Sequence, residues 1–130
     1  MNRNLFLVLS LVSVLLAACG KAVAAKSLGN PTEGEAIFNQ AMIHEAPGCI
    51  TCHSVEPNKV LIGPSLAGVA TRAGQRVPGK SAVDYLRECI INPNAYVVEG
   101  FSTGVMYQSF GEVLDEGEIN NLIAYLLTLE

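Results

Sequence analysis

Cys49-Ile50-Thr51-Cys52-His53 is the stretch on which the reading of this chain turns. Two thiols at this spacing reach the two vinyl groups of one porphyrin and form thioether links with them. The histidine directly after the second thiol is then held beneath the iron as its proximal ligand. Cys-x-x-Cys-His is therefore the attachment signature of a c-type haem. Other uses of a Cys-x-x-Cys ask for surroundings that differ from these. A thioredoxin-like redox pair wants a βαβ context, which the sequence does not present. A zinc site wants four well-spaced ligands; only His44 lies nearby, and the adjacent Cys52 and His53 are poorly placed to share a tetrahedron. The motif predicts one covalent haem c on Cys49 and Cys52, with His53 on the iron.

The rest of the composition bounds what surrounds that haem. A length of 130 residues allows one domain. So small a chain has a modest core, to which a covalently held haem adds a large apolar body. A formal net charge of −4 argues against nucleic acid as a partner, since phosphate binding wants a basic surface. No Gly-rich phosphate loop is present. With His53 committed, His44 is the one remaining histidine, and no Ser/His/Asp arrangement can be assembled.

The N-terminus reads as a targeting segment. Met1-Asn2-Arg3-Asn4 is a short positive leader, and Leu5 to Ala18 is an apolar run, shorter than the ~20 residues a membrane span needs. It ends Leu16-Ala17-Ala18-Cys19-Gly20, which resembles a bacterial lipobox. That resemblance implies a signal peptide over 1–18, cleavage before Cys19, and lipid on the Cys19 thiol and amino group. Plain secretion with cleavage near Ala22 to Ala25, or an uncleaved anchor, are the other readings. All three export the protein to the bacterial cell envelope, on the extracytoplasmic (periplasmic) face of a membrane. Cleavage before Cys19 removes Arg3, leaving seven basic side chains against twelve acids, a formal −5. Residues 19–31 then form the lipidated end and tether, and 32–130 the folded domain. The ten residues 21–30 span up to roughly 35 Å when extended.

Three helices announce their starts. Thr32-Glu33-Gly34-Glu35 has the form of a capping box, predicting a helix from Glu33 to about Met42 with Gly34, Phe38 and Ala41 on one stripe. Ser81-Ala82-Val83-Asp84 opens a second, with Val83, Leu86 and Ile90 inward and Asn92-Pro93 as its stop. Asp115-Glu116-Gly117-Glu118 opens the last, with Ile119, Leu122, Ile123 and Leu126 as its apolar face. Its first-turn acids suit the positive end of the helix dipole. No convincing strand pair, internal repeat or low-complexity tract is visible between them.

This layout resembles a class I bacterial mono-haem cytochrome c. The residues that carry the likeness are Gly34 and Phe38, Cys49 to His53, Gly63-Pro64-Ser65-Leu66, Met106, and Leu122-Ile123-Ala124-Tyr125-Leu126. It extends over about residues 32 to 129. The resemblance implies a small all-α fold, three main helices and loops wrapped around one haem. The first and last helices would cross at Gly34, with Phe38 near Tyr125. Pro64 would offer its carbonyl to the proximal imidazole, fixing the ring and raising its basicity. Met106, in the loop between the second and last helices, would be the distal ligand. Tyr107 stands where the family often has proline, so the Met106 loop loses a constraint on φ, and the gap from Phe38 to Cys49 is longer than in compact members.

His44, Met42 and an open iron are the alternatives to Met106 as distal ligand. His44 otherwise reads as an exposed histidine in an insertion. Cys89 has no obvious partner and reads as a small buried hydrophobe or an intermolecular disulfide. Tyr96, Phe101, Tyr107 and Phe110 flank Met106 and would line the distal pocket. Lys59, Arg72, Arg76, Lys80 and Arg87 form a basic run. It would either steer an acidic redox partner or be a solvated face, with Arg72 or Arg76 serving a haem propionate. The resemblance implies one-electron transfer rather than turnover. A lipid-anchored carrier would serve a quinol-oxidising complex and a terminal oxidase or photosynthetic reaction centre. It would do so as a tethered shuttle or as a fixed subunit, similar to the mono-haem lipoproteins of alternative complex III. The contrasting reading is a haem enzyme or gas sensor with Met106 detached.

Overall fold

The computed structural model describes residues 28–130. The expected signal segment 1–18, the lipidation site Cys19 and most of the 19–31 tether lie outside the described residues.

The first helix, α1 (Pro31–Phe38), starts earlier than expected. Asn30, not Thr32, is its cap: the Asn30 side chain accepts from the Thr32 N–H at 3.0 Å. Pro31 takes the first helical position, where its fixed φ suits the helix and its missing donor costs nothing. The helix also stops at Phe38 rather than near Met42. Beyond it the chain turns into a hairpin whose base is tied by Gly48 N–H to the Ala41 carbonyl at 2.9 Å. Here β1 (Met42–Ile43) runs antiparallel to β2 (Ala46–Pro47), Met42 opposite Pro47 and Ile43 opposite Ala46. This short strand pair corrects the expectation of none; two residues per strand are too few to show an alternation.

Two helices begin where their capping chemistry places them. In α3 (Ala82–Ile91), Ser81 accepts from the Asp84 N–H, and Asn92 closes the helix ahead of Pro93. In α5 (Glu116–Leu126), Asp115 and Glu118 form a complete reciprocal capping box. Two short helices have no capping side chains: α2 (Val69–Ala73), ahead of α3, and α4 (Phe110–Val113), between α3 and α5.

The most extensive packing between elements joins α1 to α5. Gly34 makes it feasible: a Cβ there would sit 1.9 Å from the Asn121 carbonyl oxygen. Phe38 then meets Tyr125 with ring centroids 5.4 Å apart. Ile119, Leu122, Ile123 and Leu126 are all buried, as the apolar stripe of α5 predicts. On α3, Leu86 and Ile90 are buried while Val83 is half-buried, and Tyr85 joins the core in its place. Each such side chain contributes about 1.5–3 kcal/mol by leaving water. The expected all-α frame is thus present, and its helices and loops border a largely apolar cavity. No helix among the described residues is long and apolar enough to cross a membrane.

Candidate haem site

Cys49–Thr51 forms a single 3₁₀ turn entered from Gly48. Thr51 Oγ1 donates to the Gly48 carbonyl at 2.6 Å, and His53 N–H to the Cys49 carbonyl at 2.9 Å. This turn delivers Cys49, Cys52 and His53 to the wall of one cavity. Gly48 has no room for a side chain, since a Cβ would lie 1.7 Å from the Gln40 carbonyl oxygen. Burial pushes the Cys49 thiol up to about 11, the neighbouring Cys52 adding to the rise. Burial thus favours the neutral Cys49 thiol, and neither Cys49 nor Cys52 is in a disulfide.

His53 is fixed from behind. Its Nδ1 donates to the Pro64 carbonyl at 2.9 Å, the bond expected from the resemblance. A carbonyl can only accept, so Nδ1 carries the proton and Nε2 keeps its lone pair. Burial also holds the ring's pKa below its ordinary value, the Pro64 bond opposing this, so the imidazole is neutral near pH 7. Gly63 lies flat against the ring: a Cβ would come within 2.4 Å of His53 Cε1. The 61–66 loop is stitched to the motif by Gly63 N–H to the Cys52 carbonyl (2.8 Å) and Leu66 N–H to the Ser54 carbonyl (2.8 Å). Arg72 reaches the same loop, its guanidinium donating to the Ser65 and Ala67 carbonyls.

Met106 lines the same cavity as His53, half-buried and packed against the core. Its loop contains Gly100 and Gly104, whose φ of 88° and 75° are open chiefly to glycine. The constraint lost with Tyr107 has a replacement that sequence reading missed. Asn94 Oδ1 accepts from the Gly104 N–H at 2.8 Å, while Asn94 Nδ2 donates to Gln108 Oε1. Gln108 Nε2 in turn donates to the Met106 carbonyl. Two side chains fourteen positions apart thus clip the loop on either side of Met106, a pairing with no local sequence pattern. Tyr96, Phe101, Tyr107 and Phe110 all line the cavity, the last two in edge contact at 5.1 Å.

The remaining candidates go elsewhere. His44, at φ 52°, hydrogen-bonds Glu118 through Nε2 at 3.0 Å and lies away from the cavity wall. Met42 is 55% exposed on the hairpin. Cys89 does face the cavity, and burial raises its pKa. Arg72 and Arg76 line the cavity, whereas Lys59, Lys80 and Arg87 are paired with Glu56, Glu88 and Glu116. The basic run of the sequence is thereby largely neutralised. Among the described residues no group of three His, Cys, Asp or Glu stands ready for another metal.

A neutral imidazole with a free Nε2, two unpaired thiols one turn away, a thioether and an apolar wall suit a covalently held haem. Fold and site together define a small all-α haem c protein. The family model described as Cytochrome c matches residues 31–130, and the chain belongs to that family. It is 30% identical over 121 residues to the cytochrome c2 iso-2 of Rhodospirillum centenum, covering 75% of this chain and 93% of that protein. It is 28% identical over 120 residues to the cytochrome c2 of Rhodopseudomonas palustris, covering 75% of this chain and 96% of that protein. The cofactor of this family is one covalent haem c, attached through Cys-x-x-Cys-His.

Proposed function

We propose that this chain is a one-electron carrier whose haem is attached at Cys49 and Cys52 and ligated by His53 and Met106. The single observation that carries the reading is that His53 and Met106 border one cavity, each on a braced loop. When bound, the haem supplies an iron that cycles between ferric and ferrous states. His53 Nε2 offers a lone pair held in place by the Pro64 bond, and Met106 a soft sulfur that favours the reduced iron. His53 and Met106 would together hold the iron, which would then offer no open position to a substrate. The apolar wall excludes water and lowers the reorganisation that accompanies each electron.

The mature protein, in this proposal, begins at a lipidated Cys19 and is held at the extracytoplasmic face of a bacterial membrane by residues 19–31. Several acyl chains anchor firmly, each buried methylene contributing about 0.8 kcal/mol. Its donors are quinol-oxidising complexes and its acceptors terminal oxidases or reaction centres, met as a tethered shuttle or within one complex. Purification from membranes in mild detergent distinguishes the two by the subunits that come with it. The test of ligation is Met106→Ala: the weak near-infrared band of ferric sulfur ligation should vanish and the reduction potential fall. A wild-type protein that lacks the band and takes up carbon monoxide readily at neutral pH would overturn the carrier reading. Mass spectrometry tests the anchor, which fails if the mature chain starts near Ala24 without lipid.

A further inference from the structure

We propose that Arg76 is the seat of a haem carboxylate and thereby raises the reduction potential, while Arg72 is committed to bracing the loop behind His53. The proposal rests on the haem attachment at Cys49 and Cys52 proposed above. The two arginines stand four positions apart, and both line the cavity. Their surroundings differ. Arg72 donates from Nη1 to the Ala67 carbonyl and from Nη2 to the Ser65 carbonyl, in the loop that carries Pro64. It lies so close over that loop that a Cβ on Gly68 would come within 2.9 Å of Nη1. Its fork is filled by the protein's own backbone. Arg76 is half-buried and, alone among the five cations of the described residues, has neither an ion pair nor a side-chain hydrogen bond.

A guanidinium at an apolar wall is costly unless an anion answers it. None of the twelve acids of residues 28–130 lines the cavity. The ionisable side chains that α3 presents there are Tyr85 and Cys89. Burial raises the pKa of both, with the charge of Arg76 opposing the rise, so neither supplies an anion at neutral pH. Lys80 and Glu88, whose charges also reach Cys89, are paired with each other. The anion that suits this position is a carboxylate of the haem. Haem carries its two carboxylates on the edge away from the vinyl groups that take the thiols. Their seat therefore lies on a part of the wall other than the Cys49–His53 turn. Arginine suits the task, because its planar fork matches a carboxylate with two parallel hydrogen bonds. A cation held beside the haem disfavours the extra positive charge of the ferric state, and so favours reduction.

The experiment compares holoproteins by redox titration and by infrared difference spectra between the two oxidation states, with the haem carboxylates labelled with carbon-13. Arg76→Gln should lower the equilibrium constant for reduction roughly fivefold, about 40 mV at about 59 mV per tenfold, and shift the label-sensitive carboxylate bands. Arg76→Lys exchanges the fork for one ammonium, so it should keep the constant within about twofold of wild type and still shift the bands. Arg87→Gln removes the same charge outside the cavity, where Arg87 pairs with Glu116. It should leave the bands alone and change the constant by less than about 1.5-fold. An unchanged constant in Arg76→Gln would overturn the seat, as would a lowered constant with unmoved bands, the mark of a charge acting only at a distance. Should Arg76→Gln not mature, unmoved bands in Arg76→Lys would overturn it equally. Wild-type holoprotein that passes these tests yet takes up carbon monoxide readily would overturn the carrier reading and leave the seat standing. Protein without covalent haem would overturn both.

Discussion

The two sides of the cavity are built by different means. On the His53 side, backbone does the holding: Pro64 offers a carbonyl, Gly63 packs on the ring, and main-chain bonds stitch the loop to the motif. On the Met106 side, the loop crosses two glycines at positive φ and is clipped by the Asn94 and Gln108 side chains. A backbone contact cannot be altered without moving the chain, whereas a side-chain clip can be changed one residue at a time. The histidine side is consequently the rigid reference; on the ligation proposed above, the methionine side is where ligand strength and potential would be tuned.

The sharpest way to break this contrast is Gly63→Ala. The added methyl has nowhere to go but into His53, and overpacking of this kind costs about 1–3 kcal/mol, more where backbone must move. Haem incorporation and thermal midpoint should both drop; a normal yield of stable holoprotein would mean that the histidine loop is softer than its contacts indicate. Gln108→Ala and Asn94→Ala probe the other side. Each removes exposed hydrogen bonds whose net worth is about 1 kcal/mol, so the fold should survive. If that energy is lost from Met106 ligation, added imidazole should bind the ferric iron roughly fivefold more tightly. Restoration by Gln108→Glu is not expected, because a carboxylate cannot donate to the Met106 carbonyl. Unchanged imidazole affinity in both alanine variants would put the control of Met106 elsewhere.

A third test reads how dry the interior is, at the cavity wall (Tyr85) and at the α1/α5 crossing (Tyr125). Burial raises the pKa of Tyr85 and of Tyr125. The sign follows directly: a raised pKa stabilises the neutral phenol in the folded chain. That contribution is complete below the ordinary tyrosine value of about 10 and is lost as pH climbs through the folded values. Ultraviolet titration should show these two of the four tyrosines ionising late, together with unfolding. The smallest effect belongs to His44→Ala. The His44 side chain is 54% exposed, and such pairs contribute about 0.5 kcal/mol or less, so the thermal midpoint should scarcely move and the absorption spectrum not at all.

What could be read from the sequence was whatever a local pattern encodes. The capping signals at Ser81 and Asp115 placed the starts of α3 and α5, and the apolar stripe of α5 named its buried face. Gly34 and the Pro64 carbonyl were expected through family resemblance, and both contacts are present. Thr32 misled because its box pattern competes with Asn30-Pro31, and a cap followed by proline fixes the start more strongly. The short helices α2 and α4 lack capping side chains and left no mark to read. Nor could the Asn94–Gln108 clip be seen, because it depends on a loop path that returns the chain to itself. The basic run looked continuous along the chain, while in space three of its members sit beside acids from other positions.

The crossing of α1 and α5 also bears on how the molecule is made. These helices stand at opposite ends of the described residues, so their packing has a high contact order and closes a long loop. A chain emerging N-terminus first carries Cys49, Cys52 and His53 into the open well before α5 exists to seal the frame. Through that interval the two thiols remain accessible to whatever catalyses thioether formation. The late seal thus leaves an interval, set by topology, in which covalent attachment can precede closure.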